Sequence, residues 1–491
     1  MTSQIRPFGQ RGRPNRWAML AAVLALSACT VGPNFKRPEG PTSKRYTSGD
    51  TIRLNGGDAE IDEQHVMLGQ PLPSEWWAPF QSPQLDQVIR QAIAGNHSLA
   101  AAKATLAQAH ESVTAAAGGL YPQVDLGASA GRQKYGAAFF GPLQGPGPFT
   151  YWSVGPNVSY LVDWSGGVRR TVERERALAD YQRYQVSAAY LALTGNVVMQ
   201  ALSIASIRAQ IETVEEILAN DEKNLALVRS AREAGSVTEV DVLSAESQLA
   251  NDRTLLPPLR QQLSVARHAL AILVGQAPAD WMPPDFDIEQ FTLPRELPVS
   301  LPSALVHDRP DIMAAESQLH AASAEIGVTT ANLYPRVDLT AAVSQQALTM
   351  PGLFNASAVA WSLAAGLTAP IFQGGTLSAE RRAAVDAFQA SLANYKQTVL
   401  QSFGQVADVL EALAHDAELL AAQKHAMESA AASLRLTRLS YSAGNVGILQ
   451  VLDAQRLLQQ AQLGYVRAQV QRRQDTAQLF LALGGATLAT H

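Results

Sequence analysis

The sequence predicts a mainly α-helical fold with a small transmembrane β part, built from two copies of one unit. Each copy holds very long coiled-coil helices and two β-strands, giving four strands per chain. Three observations carry this reading. Four short motifs recur in the same order at a nearly constant offset. Apolar residues follow a seven-residue spacing through most of each copy, the mark of helix-on-helix packing. Aromatic-bounded segments of strand length precede a Gly-Gly pair in both copies. The 491 residues are 47% hydrophobic and 16% charged, with net charge −5, which excludes global disorder and argues against a nucleic-acid partner. A single cysteine excludes an internal disulfide, a thiol metal cluster and a CxxC redox pair.

The chain opens on an address. Arg6, Arg11, Arg13 and Arg16 precede an apolar stretch from Trp17 to Leu26, then Leu26-Ser27-Ala28-Cys29. This is the layout of a secretory signal over 1–28, and its apolar core is too short to span a bilayer. Leu-Ser-Ala-Cys resembles a bacterial lipobox, in which cleavage falls between Ala28 and Cys29 and the cysteine is acylated. Anchoring then comes from buried acyl chains, at about 0.8 kcal/mol per CH₂. Thr30 follows, where an aspartate would favour inner-membrane retention in enteric lipoproteins. Without the leader the net charge falls from −5 to about −9. Residues 29–82 form an N-terminal acylated segment in this reading.

The repeat occupies 83–276 and 303–485, with a tail at 486–491. Leu120-Tyr121-Pro122-Gln123-Val124-Asp125-Leu126 recurs 213 residues later as Leu333-Tyr334-Pro335-Arg336-Val337-Asp338-Leu339. Gly166-Gly167 recurs at 374–375, Ala234-Gly235-Ser236-Val237 at 443–446 as Ala-Gly-Asn-Val, and Leu273-Val274-Gly275 at 483–485. Each copy begins with a helix (83–118; 303–332) that ends before Leu-Tyr-Pro. A strand (123–131; 336–344), a loop (132–150; 345–357) and a returning strand (152–163; 359–372) follow. From Gly-Gly one helix runs to Ala-Gly, 68 residues or about 100 Å, and a second helix returns. Pro257-Pro258 should interrupt the first return helix, and the second copy has no counterpart. Six prolines across 277–302 mark a linker between the copies.

The heptads are explicit. Val385, Leu392, Val399, Val406, Leu413, Leu420, Met427, Leu434 and Tyr441 form one row. Tyr190, Val197, Ile204, Ile211, Leu218 and Leu225 form another, with Ile207, Val214 and Val228 on the seam beside it. Val242, Leu249, Leu256, Leu263 and Leu270 continue the pattern in the first return helix. Four strands cannot close a barrel, and open edges are not tolerated in lipid, so several chains must pool their strands.

On these residues the chain resembles a TolC/OprM-type outer-membrane factor, in the lipoprotein branch of tripartite efflux systems of the RND type. The resemblance rests on Cys29 through Pro38, Trp76-Trp77, Arg309-Pro310-Asp311-Ile312 with Glu316 and Leu319, the paired Leu-Tyr-Pro turns, and Ala443 through Gln455. It implies a homotrimer whose 12 strands form one outer-membrane barrel on a periplasmic α-barrel. It also implies partners: a periplasmic adaptor and an inner-membrane pump. Gly235, Ser236, Gly444 and Asn445 would lie at the tips that meet the adaptor. Asp453 matches an acidic aperture residue, Gln450 stands where some members carry a second aspartate, and Asp241 is its repeat counterpart. The implied function is an exit duct for small molecules; a duct for an ABC-driven or type I secretion system, or a coiled-coil lipoprotein without a pore, are the alternatives.

Enzyme readings find little support. Gly127-Ala128-Ser129-Ala130-Gly131 matches GxSxG, but no helix follows it and Ala342 stands opposite Ser129 in the repeat. The nine histidines form no HExxH, and no phosphate-loop motif is present, so neither a metal nor a cofactor is expected.

Overall fold

The structure, a computed structural model, describes residues 30–40, 43, 45–47, 64–70, 72–136 and 147–485. In chain order its elements are β1 (His65–Leu68), α1 (Pro83–Gly95), α2 (His97–Gly118), β2 (Gln123–Gln133), β3 (Phe149–Val162), α3 (Gly167–Glu233), α4 (Glu239–Arg253), α5 (Leu256–Val274), β4 (Glu296–Val299), α6 (Pro302–Asp308), α7 (Pro310–Ala331), β5 (Arg336–Ala347), β6 (Val359–Thr368), α8 (Thr376–Ser442) and α9 (Ile448–Ala482). The two long helices, α3 and α8, are 67 residues each and unbroken. Their heptad rows turn inward: Val197, Ile204, Leu225, Val399, Val406, Leu413, Leu420 and Leu434 are buried.

Each opening helix of a copy is two helices, where the sequence suggested one. Asn96 is extended (ψ 120°), so α1 stops there, and its Oδ1 accepts the Leu99 amide to start α2. Pro310 disfavours helical geometry at the residue before it, and Arg309 is extended (ψ 124°) between α6 and α7. The first return helix breaks at Thr254-Leu255, just ahead of Pro257-Pro258, while α9 runs unbroken for 35 residues. Without N–H groups these prolines cannot bond the carbonyls of the preceding turn. The strand expected over 359–372 ends at Thr368, ahead of Pro370.

The tract 277–302, which joins the two copies in sequence, packs into the core. Phe286 and Phe291 are fully buried with ring centroids 5.8 Å apart. Glu296–Val299 pairs in parallel with His65–Leu68. The prolines break helices here, but the intervening aromatics still bury their apolar surface.

The described residues form two compact units: one gathers those of 30–37, 107–181 and 316–394, the other those of 38–106, 182–315 and 395–485. Each unit draws on both sequence copies, so a copy is not itself a folding domain. An apolar heptad seam is satisfied only by a neighbouring helix, and the other copy supplies one. The second unit centres on Trp76, Phe80, Leu202, Ile204, Leu270, Phe286, Phe291 and Phe480.

Candidate functional site

The first unit holds an antiparallel sheet in the order β2-β3-β5-β6. Its register resolves the strands' partial alternation into two faces. Val124, Leu126, Ala128 and Ala130 of β2 pair with Val158, Pro156, Val154 and Trp152 of β3. Val337, Leu339, Ala341 and Val343 of β5 pair with Leu367, Ala365, Leu363 and Trp361 of β6. Tyr160 opposite Leu339 and Val158 opposite Ala341 join the two halves, so one face is almost wholly apolar. The other face carries Asp125, Ser129, Ser153, Asn157, Ser159, Asp338, Thr340, Ser344 and Ser362. Trp361, Leu363 and Leu367 are all more than 70% exposed, as are no ordinary core residues. Ser129 lies inside β2 opposite Ser153, so Gly127–Gly131 is strand and not a strand-to-helix elbow.

At the base of this sheet the N-terminal segment is clasped. The Val31 amide donates to the Ser165 carbonyl at 3.0 Å. Arg170, 3% exposed, donates to the Val31 and Gly32 carbonyls, to Asn34 Oδ1 at 2.8 Å and to Glu173 at 2.6 Å. Gly32 (φ +90°) lies against Gly327 so closely that a Cβ would meet its Cα at 2.5 Å, and the left-handed backbone also favours glycine. Phe35 stacks on His320 at 4.4 Å, and Arg37 pairs with Glu316 at 2.7 Å. Burial opposes ionisation of Glu173, but its bonds to Arg170 and His320 outweigh this and hold its carboxyl below the ordinary range. Ala28 and Cys29 lie outside the described residues, and Thr30, next to Cys29, sits against Gly166 at the β3–α3 junction. Trp164 closes the same junction, donating to the Pro335 carbonyl at 2.9 Å and meeting Tyr334 edge-on.

The second unit holds the helical turns. At the first, Gly235 (φ +73°) lets Ser236 N reach the Ala231 carbonyl and Gly235 N the Arg232 carbonyl, both at 2.9 Å. Gly444 (φ +75°) does the same in the second copy, with Asn445 N to Ser440 and Gly444 N to Tyr441, again 2.9 Å. Only a left-handed residue closes a helix this way, which explains the repeated glycine. All four tip residues are exposed. The return helices differ. Thr238 and Asp241 form a capping box on α4, whereas Gly447 gives α9 no side-chain cap.

The sequence-derived aperture candidates therefore separate. Asp241 spends its carboxylate on the cap, and the bonds from the Thr238 amide and hydroxyl hold it below the usual carboxylate range. Asp453 and Gln450 sit three apart on an exposed side of α9, and Asp453 accepts from Arg456 at 2.6 Å. Beneath them a shared core of Leu225, Val228, Val242, Leu249, Leu434, Ile448 and Val451 joins both turns. Beside the second turn lies an open groove of about 420 Å³ lined by Leu434, Arg435, Arg438, Leu439 and Leu458.

Sequence reasoning missed two buried carboxylate pairs on these helices, Asp221 with Asp252 and Asp416 with Asp475. Desolvation, followed by the bond and charge of the neighbouring carboxylate, pushes Asp221 and Asp416 up to about 7. The signal was available: Asp221 occupies the seam row of Ile207, Val214 and Val228, where an apolar residue is the rule.

A family model described as outer membrane efflux protein matches residues 88–276 and 301–485. The pyoverdine export outer membrane protein OpmQ of Pseudomonas aeruginosa is 30% identical over 474 residues, 95% of this chain and 96% of that protein. Among solved structures, the outer-membrane channel OprN superposes with a TM-score of 0.84 at 26% identity, covering 93% of this chain and 99% of that one. The open state of the MtrE outer membrane channel of Neisseria gonorrhoeae gives 0.80 at 26%, covering 93% and 98%. The fold thus recurs in known outer-membrane channels, and the chain belongs to the outer membrane efflux protein family.

Proposed function

We propose that three copies of this chain pool their sheets into one 12-stranded outer-membrane barrel, continued in the periplasm by an α-barrel of their helices. The observation that carries this reading is the sheet itself. One face is apolar and exposed, the other is polar, and β2 and β6 stand at its edges. Lipid tolerates such a sheet only when the edges are paired, and the polar face suits a water-filled lumen. The chain is an outer-membrane exit duct, and its cargo in this reading is small molecules delivered by a periplasmic adaptor and an inner-membrane pump.

Processing between Ala28 and Cys29 would leave an acylated Cys29. The clasp supports this, because Arg170 holds the adjoining residues at the foot of the sheet, within reach of the membrane surface. The domain plan that goes with it is a leader over 1–28, an acylated segment over 29–82, sequence copies over 83–276 and 303–485 joined by a Pro-rich linker over 277–302, and a tail over 486–491. Gly235, Ser236, Gly444 and Asn445 are the adaptor contacts in this reading, supported by their exposure and by exposed Val240, Leu243, Leu439 and Leu449 beside them. Asp453, with Gln450 a turn earlier, would ring the aperture. Three carboxylates there would attract cations and hold the opening narrow.

Purified protein in planar bilayers tests the function. A step conductance is expected, and Asp453→Ala should raise it by about twofold or more while weakening block by multivalent cations. Absence of any pore would favour a coiled-coil lipoprotein without a channel. An unchanged Asp453→Ala conductance would remove that residue from the aperture.

A further inference from the structure

We propose that Asp221 and Asp252 share one proton across the α3–α4 seam, and that this proton latches the first return helix to the long helix beside its interruption. Asp221 is 3% exposed and Asp252 8%. Asp221 Oδ1 accepts from Gln455 Nε2 of α9 at 2.6 Å, and Asn224 donates in turn to Gln455 Oε1. Asp252 Oδ2 accepts from Gln248 Nε2 at 2.8 Å. Asp221 Oδ2 is buried and meets no donor from any amide, hydroxyl or cation. Asp252 is the neighbouring side chain that bonds Asp221 from α4, and two carboxylates can bond only through a proton held between them. With that proton in place, the orphaned oxygen is satisfied and only one negative charge remains in the seam.

The surroundings leave this work to a proton. The amides that bond the pair are Gln248 of α4 and Gln455 of α9, and Asn224 of α3 holds Gln455 in turn. Of the cations near the pair in sequence, Arg253 is engaged by Glu222 at 2.8 Å and Arg456 by Asp453 at 2.6 Å, while Lys223 is exposed. Burial raises the proton affinity of Asp221, with the Asp252 bond and charge adding to it, to about 7. The raised value fixes the sign. The closed seam keeps its proton at pH values where an opened seam releases it. The latch is therefore complete in acid, weakens as pH rises, and is spent once Asp221 has ionised near 7.

Its position gives the proton a mechanical effect. Asp252 is the penultimate residue of α4, its carbonyl accepts the Leu255 amide, and the helix stops at Thr254-Leu255. About 20 Å of helix separates the pair from the turn at Gly235. Ionisation puts two like charges across the point where the hairpin is weakest, so α4 lifts from α3 there first. The inference concerns the hairpin alone and does not depend on what the duct carries.

Hydrogen exchange of the full-length protein in detergent, followed from pH 5 to 8.5 and divided by the intrinsic rate, tests it. In peptides spanning 245–256 the opening constant should rise about tenfold per pH unit up to pH 7 and level off above it. Asp252→Asn donates to Asp221 without titrating, so its profile should be flat; Asp221→Asn should behave alike. A flat wild-type profile, or the wild-type slope in both variants, overturns the proposal. Should either variant fail to fold, infrared spectra of an Asp416→Asn protein decide, since Asp416, also raised to about 7, would add a band of its own. A protonated-carboxyl band present at pH 6 and titrating away by pH 8 supports the latch, and its absence at pH 6 overturns it.

Discussion

Replacing Leu363 with arginine is expected to deplete the folded protein in the outer membrane by about thirtyfold to several hundredfold, whereas Ser362→Arg, one residue away, should be tolerated. Leu363 lies mid-strand in β6, 76% exposed, opposite Ala341 and between Trp361 and Ala365 on the apolar face. Arginine on the lipid side of a barrel costs about 2–4 kcal/mol at the bilayer midplane, and every 1.4 kcal/mol is tenfold. Ser362 pairs with Ala342 on the polar face, where a long cation can stay in water. Quantifying membrane-inserted, heat-resistant protein for both variants checks the asymmetry. Equal losses would mean the two faces do not meet different solvents.

Trp76→Ala should be the most damaging single truncation of the second unit, at about 3–5 kcal/mol. Trp76 is 1% exposed, set edge-on to Trp77 at 6.0 Å and tilted against Phe480 at 6.3 Å. Its indole donates to Thr194 Oγ1 at 3.1 Å, tying the N-terminal segment to α3. Thr194 keeps its own bond to the Leu191 carbonyl, so the loss is chiefly a cavity and ring contacts. Trp76→Phe should therefore retain much of the stability. Because the rings touch, Trp76→Ala and Phe480→Ala should couple by about 0.5–1.5 kcal/mol. Denaturant midpoints of the detergent-held protein measure all of these, and a Trp76→Ala cost under about 1 kcal/mol would contradict the packing.

Which parts of this were legible in the sequence follows from the range of the forces involved. The long helices were, because heptads and glycine turns are local signals: a spacing of 68 residues between markers became helices of 67. So was the break before Pro257-Pro258, since a missing N–H acts on the turn that precedes it. The sheet was legible strand by strand only in part. Its apolar face became plain once the register set Trp361 beside Val343 and Leu126 beside Pro156. Non-local pairing was out of reach: nothing in His65–Leu68 announces a partner at Glu296–Val299, more than two hundred residues away. The Arg170 clasp was hidden for the same reason, joining a helix start to backbone carbonyls at 31 and 32. Asp221 was a different case, an anomaly in a readable row whose partner, Asp252, only the packing of α4 supplies.

The pooling of strands is tested most directly by joining the free edges. A cysteine at Ala128 of β2, combined in turn with one at Trp361, Leu363 or Ala365 of β6, joins the two edge strands, which are not paired with each other within the chain. If three chains close one barrel, at least one combination should give covalent trimers under oxidising, denaturing conditions, with no species beyond them. Chains that stay monomeric in every combination, or that link into open ladders longer than three, would contradict the account.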